Sequence, residues 1–466
     1  MKAHRVRDHA LVLRNVHVFT GRGNTLDGVD VLVREGLIRE SSRTRLDPRG
    51  ARVIEAAGKT LVPGLIDTHV HLDFLSVRNG IHGWFQTRFA LPRALEELTR
   101  NGVTTVRSMA DPLAPVNRLR KRVLRGSFAS PEILSAGPAL TAPGGHPTST
   151  LAKDNPWLRK HIAVTLDDPE AARAAVRRLH TAGADLIKFV YQGGLYGPDR
   201  IRLRKLDHTI ALTIIEEAHR IGLPVSAHTH CQEDVDALLS NGIDSIEHGV
   251  IEHELRGTET LQTWRLAGAR LVPTLSIAAL FPGPSGGLYI DTARKNLACA
   301  YEAGISVVAG TDSMIGAMPP NTLHDELRRM VHAGMCEFDT LRAATADAAD
   351  LLGLRDRAVI EPGRRADMVL LRSDPLERIE NIADIDLVVQ DGTVIYHAPD
   401  PAPAQARLLQ PIWTSGHRLH RPHRDHRSVP CDCAVRPKPL LRTWGAQPVL
   451  FRPTHWDSAA HRNRGR

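Results

Sequence analysis

Residues 61–71 read LVPGLIDTHVH. The run is apolar as far as Asp67 and then sets His69 and His71 two positions apart. Side chains at i and i+2 leave the same face of a strand, so both imidazoles point to one place. An apolar strand ending in ligand-type side chains suits a parallel sheet, whose strands are covered on both faces and carry their chemistry at the carboxyl ends. Taken alone, the pair is also compatible with two ordinary strand histidines.

Seven further short apolar runs follow: GVTTVRS (102–108), EILSAG (132–137), ADLIKFV (184–190), LPVSAHT (223–229), IDSIEHG (243–249), ARLVPTL (269–275) and GISVVAGTD (304–312). Amphipathic stretches separate most of them. PRALEELTRNG, PEAARAAVRRLHTAGA, DHTIALTIIEEAHRIG and QEDVDALLSNG carry apolar residues at helical spacing and end near glycine. Asp168 and Asp207 are the expected N-caps of two of these helices. Eight strand–helix units predict an α/β protein with a (βα)8 TIM-like barrel over residues 61–356. Residues 138–183 hold extra loop, including PGGHP, where an active-site insertion belongs. The flanks read instead as short strands with turns, among them QDGT as a hairpin turn. They predict one small β-sandwich domain built from residues 1–60 plus 357–398.

The formal net charge is +8, but residues 401–466 hold 12 Arg and Lys against 3 Asp, which leaves a body of charge −1. A basic extension on a neutral body is not the footprint of a nucleic-acid binder. The extension, 399–466, carries Pro, Arg and His without periodicity and is expected to be disordered. Its HRLHRPHRDHR and CDC segments leave metal sequestration or single-strand binding as alternatives. No apolar run approaches the ~18 residues of a membrane span, and mean hydropathy is −0.21. Five scattered cysteines make no disulfide framework. No secretory signal is recognisable at the start, so a cytoplasmic location is expected.

Other ligand-type residues fall at later strand ends. His228 closes LPVSAHT, His248 closes IDSIEHG and Asp312 closes ISVVAGTD. Lys188 interrupts the apolar run DLIKFV, in a chain with nine lysines and 51 arginines. A buried ammonium is costly, so such a lysine is neutral, paired or modified. A neutral amine takes up CO2 as a carbamate, which offers two oxygens to cations; the alternative is an ion pair inside the barrel.

The motifs VPGLIDTHVHLD (62–73), GVTTVRS (102–108), PGGH (143–146), ADLIKF (184–189), VSAHTH (225–230), DSIEHG (244–249), AGTDS (309–313), LHDELRRMV (323–331), LRAATADAADLLGL (341–354) and IEPGRRADMVLL (360–371) occur in this order. Together they resemble the metal-dependent amidohydrolase superfamily, in the branch of imidazolonepropionase-related enzymes and Xaa-Pro dipeptidases (prolidases). The resemblance covers about residues 10–397.

It implies two divalent metal ions. His69, His71 and Asp312 would hold the more buried one and His228 and His248 the more exposed one. A CO2-derived carbamate on Lys188 would bridge them together with a hydroxide. The donors suit zinc, with manganese and iron open. Imidazolonepropionases resemble this pattern but lack the lysine and use one metal, so Lys188 points to the dipeptidase side. Asp312 would be catalytic, moving a proton from the bridging hydroxide to the leaving nitrogen. His146 and Tyr191 match substrate-contacting positions. His230 and His324 are expected beside the site or on a helix surface rather than as ligands. Arg107 is expected to bind a carboxylate or to form an ion pair.

The implied function is hydrolysis of an amide C–N bond in a small molecule, of dipeptide or N-acyl amino acid type, with cyclic or xenobiotic amides and esters open. The alternatives are a one-metal cyclic-amide hydrolase and an inactive barrel that only binds. No nucleic-acid or membrane partner is expected, and a homo-oligomer is compatible with the sequence. The aromatic, basic stretch 76–92 is expected to be a loop that shapes specificity.

Overall fold

The structure is a computed structural model that describes residues 10–399, except 49, 73, 75, 76, 284 and 285. The expected disordered extension lies outside the described residues from 400 onward.

The opening stretch forms two strands rather than one. Thr60–Pro63 belongs to one sheet and Leu65–His71 to another. Gly64 is the joint, because a Cβ there would meet the Thr104 side chain at 2.3 Å. Only glycine lets the two backbones approach so closely.

The sheet containing Thr60–Pro63 has eight strands drawn from both ends of the chain. Leu11–Phe19, Thr25–Arg34, Leu37–Ser42 and Arg52–Glu55 come from the amino-terminal side, and Met368–Leu371, Ile385–Gln390 and Thr393–His397 from the carboxyl-terminal side. The halves join where Thr60–Pro63 runs antiparallel to Met368–Leu371. Its apolar side chains, among them Leu13, Val31, Leu61 and Leu370, form a core of their own. The expected QDGT turn is present, with Asp391 and Gly392 both at positive φ, as a two-residue hairpin demands.

Apart from a small antiparallel pair, Gly194–Tyr196 with Ile201–Leu203, the remaining strands form two parallel sheets alternating with helices. One is ordered Ser313–Met314, Leu65–His71, Val103–Ser108, Glu132–Ser135. The other is ordered Ala163–Thr165, Ala139–Thr141, Ile187–Val190, Val225–His228, Ser245–Glu247, Arg270–Val272. Backbone hydrogen bonds pass between them at Asp185 N to Ser135 O (2.9 Å) and Thr68 N to Ala309 O (3.0 Å). On the other side, Val308 N donates to Leu271 O at 2.9 Å. Helices Pro169–Thr181 and His208–Arg220 are capped as expected, by Asp168 accepting from Ala171 N and Asp207 from Thr209 N.

Two expectations need correcting. GISVVAGTD (304–312) is not a regular strand; it makes an isolated bridge from Val307 to Leu271, and strand geometry resumes only at Ser313. Asp312 has φ of 56°, which ends extended pairing where the carboxylate enters the site. The stretch 76–92 is helical from residue 80, as Gly80–Phe85, a π-turn segment Gln86–Ala90 and the start of Leu91–Arg100. Its Ile81, Trp84, Phe85 and Phe89 are exposed, and none of its described residues lines the site cavity. No helix among the described residues is long and apolar enough to cross a membrane.

Candidate metal centre

Leu65–His71 delivers its two histidines to one point, as the i, i+2 spacing requires. His71 Nε2 lies 2.8 Å and His69 Nε2 3.3 Å from Asp312 Oδ1. Lys188 Nζ, from Ile187–Val190, is 3.0 Å from His69 Nε2. The sequence therefore brought together residues 119 and more positions apart.

Beneath this group lies an ionic anchor in the strand interior. Glu247 accepts from His69 Nδ1 at 2.7 Å, from Arg107 at 2.7 Å, and from Ser226 (2.5 Å) and Ser245 (2.9 Å). Burial pushes this carboxyl up, but Arg107 and His69 hold it well below the usual range. An ionised Glu247 fixes the proton of His69 on Nδ1 and leaves Nε2 as a lone pair facing Asp312 and Lys188, the tautomer a metal requires. Arg107 is thus the ion-pair partner of Glu247 rather than a carboxylate binder.

His228, at the end of Val225–His228, meets His248 with ring centroids 4.6 Å apart. His248 Nδ1 is hydrogen-bonded to Thr274 Oγ1 at 2.7 Å, which turns its Nε2 away from Thr274. His230 joins them: donor atoms of His228, His230 and His248 all lie within 4.8 Å of one another, as do those of His69, His71 and Asp312. Gln192 links His228 Nε2 (2.9 Å) to His230 Nδ1 (2.8 Å). The rings of His69 and His248 are 5.3 Å apart, so the two groups are neighbours in one cavity.

Burial keeps His69, His228 and His248 neutral. His69 falls to about 4, through burial and the nearby Lys188, and His228 and His248 lie well below the ordinary value for the same leading reason. Burial lowers Lys188 to about 8, against the pull of Glu247 and Asp312. Asp312 is raised by burial but driven well below the carboxylate range by His69, His71 and His248. Neutral nitrogen lone pairs beside an anionic carboxylate are a donor set that fits divalent cations.

Four non-glycine residues at these strand ends occupy the left-handed region: Ala110 (φ 58°), His248 (φ 68°), Thr274 (φ 46°) and Asp312 (φ 56°). Such strain costs of order 1–3 kcal/mol per residue, most for a β-branched threonine, and collects where function demands a particular direction.

His146, from PGGH, lines the cavity with its ring stacked on His228 at 4.9 Å. Tyr191 does not reach the cavity: its hydroxyl pairs with His208 Nδ1 at 3.0 Å and Lys205 lies 4.9 Å over its ring. Tyr196, five residues on, lines the cavity instead. His324 is remote and buried rather than on a helix surface, with Nε2 2.9 Å from Asn101 O. Sequence reasoning missed Glu247, Gln192 and Thr274. Glu247 had one available signal, a carboxylate next to His248 inside an apolar strand.

A cluster of buried histidines, a carboxylate and a lysine at the carboxyl ends of parallel strands defines a metal-dependent hydrolase of the α/β, TIM-barrel-like class. The chain belongs to the amidohydrolase family, whose model matches residues 60–395. It is 27% identical over 379 residues to ochratoxinase from Aspergillus niger, covering 74% of this chain and 77% of that one. It is 26% identical over 367 residues to imidazolonepropionase from Deinococcus deserti, covering 75% of this chain and 86% of that one. The fold matches a crystal structure of an Xaa-Pro dipeptidase with bound methionine, with TM-score 0.73 and 24% identity over 84% of this chain and 100% of that one. The chain is therefore a metal-dependent amidohydrolase.

Proposed function

We propose that the chain hydrolyses an amide C–N bond in a small molecule at a two-metal, zinc-type centre. The observation that carries the reading is the convergence of His69, His71, Asp312 and Lys188 within 3.3 Å contacts beside His228 and His248. His69, His71 and Asp312 would hold one ion and His228 and His248 the other. Lys188, lowered by burial and so more readily neutral, would be the residue to take up CO2, its Nζ losing a proton as the N–C bond forms, and the carbamate would offer two anionic oxygens to metal. Bound divalent metal acidifies water from pKa ~15.7 towards ~7 and polarises a carbonyl.

The chain's own groups do the rest. Asp312, held anionic among three histidines, accepts the proton of the attacking water and passes it to the leaving nitrogen. His146, on the cavity wall beside His228, is placed to orient the scissile carbonyl. Residues 61–356 would form a closed eight-stranded barrel, a reading supported by the bonds that link its two sheets. Residues 1–60 plus 357–398 would fold as a β-sandwich around the shared eight-stranded sheet. Dipeptides and N-acyl amino acids are the substrates the resemblance implies.

Asp312→Asn tests the proton role. It should lose about 10²–10⁴ of turnover while retaining much of its metal; wild-type turnover in that variant would remove Asp312 from the mechanism.

A further inference from the structure

The cavity above the centre is open to solvent on one side and spans about 960 Å³ with its mouth included. Its polar lining includes His71, His228, His248, Lys188 and Asp312 of the centre, with Asp111, Thr274, Tyr196 and Tyr289 besides. The walls elsewhere include Phe74, Leu151, Ile251, Ile277, Phe281 and Met314.

The charges on those walls are the informative part. Among the described lining residues there is no arginine, and Lys188 is the one lysine. Its Nζ is committed to the centre, 3.0 Å from His69. Arg107, the nearest guanidinium in the strand interior, is spent on Glu247 at 2.7 Å. Lys205 is drawn off to Asp234 at 2.9 Å. A substrate carboxylate buried here would face aliphatic and aromatic carbon without a matching cation, which is costly.

Neutral donors are available on these walls, Tyr196 and Tyr289 among them. Tyr289 lines the cavity, is 6% exposed, and its hydroxyl proton finds no acceptor among the described residues. Neutral donors in a largely apolar wall suit a carbonyl, ether or hydroxyl of an uncharged ligand.

We propose that the preferred substrates are bulky neutral amides, with aryl or alkyl groups on both sides of the scissile bond and no free carboxylate. This rests on the amide-hydrolase reading and narrows its substrate class away from free dipeptides. Ile277 and Phe281 are then specificity-determining residues, and Tyr289 donates to a neutral acceptor on the substrate.

The test uses pairs that differ by one carboxylate, incubated with the full chain, Zn²⁺ and bicarbonate. N-(2-phenylethyl)benzamide is compared with N-benzoyl-phenylalanine, and Leu-Pro is included as a free dipeptide. Benzoate or leucine release gives kcat/KM, and calorimetry gives binding of the same compounds. The neutral amide should exceed its carboxylate partner by about tenfold or more in both readouts. Ile277→Arg should narrow or invert that ratio. Equal or stronger use and binding of the carboxylate, or a ratio unmoved by Ile277→Arg, overturns the inference. Binding in the expected order with no amide cleaved overturns the hydrolase reading instead and upholds the preference for neutral ligands.

Discussion

The two histidine groups of the site are built differently. His69, His71 and Asp312 rest on a buried ion pair: Glu247 holds His69 from below and Arg107 holds Glu247. His228, His230 and His248 are held by neutral partners, the Gln192 amide and the Thr274 hydroxyl. An ionic anchor inside a strand layer has one low-energy arrangement, because any displacement leaves a buried charge unpaired. An amide and a hydroxyl on segments after the strands can be replaced by other neutral contacts at a cost of about 1 kcal/mol. One half of the centre is therefore preset, and the other has more freedom to accommodate metal and substrate.

This contrast breaks if the two anchors prove equivalent. Glu247→Gln leaves Arg107 without its carboxylate and should cost on the order of 3–5 kcal/mol in stability. It should also lower metal affinity roughly 10–100-fold. Thr274→Ala should weaken metal binding by about tenfold or less and cost only about 1 kcal/mol. Thermal unfolding and metal titration of the two variants check the order; equal losses would refute it.

A pH-dependent effect concerns Lys188, whose pKa falls from 10.5 in a free side chain to about 8. Between those values the unfolded chain binds the proton and the folded metal-free protein does not, so this lysine makes stability rise with pH. From pH 8 to 10, the melting temperature of the metal-free wild type relative to Lys188→Met should climb by a few degrees. A flat difference would mean that the lysine is not buried as the structure has it.

Much of this was legible in the sequence. His69, His71, Lys188, His228, His248 and Asp312 could be read because period 2 fixes which strand residues share a face and parallel strands collect their ends. The supports were not legible, because the hydrogen bonds between His69 and Glu247 and between His248 and Thr274 depend on which strands become neighbours. Tyr191 was misplaced for a related reason: the chain leaves strand geometry after Val190, and alternation no longer says which tyrosine turns inward. The strand boundary at Gly64 was hidden within an unbroken apolar run, and only its contact with Thr104 reveals it.

The most direct test of the central claim is the metal content of the full chain reconstituted with Zn²⁺ and bicarbonate, measured beside Lys188→Ala. The account predicts about two zinc ions per wild-type chain and a clear loss in the variant. One zinc ion per chain in both would contradict a carbamate-bridged pair and leave a single-metal hydrolase.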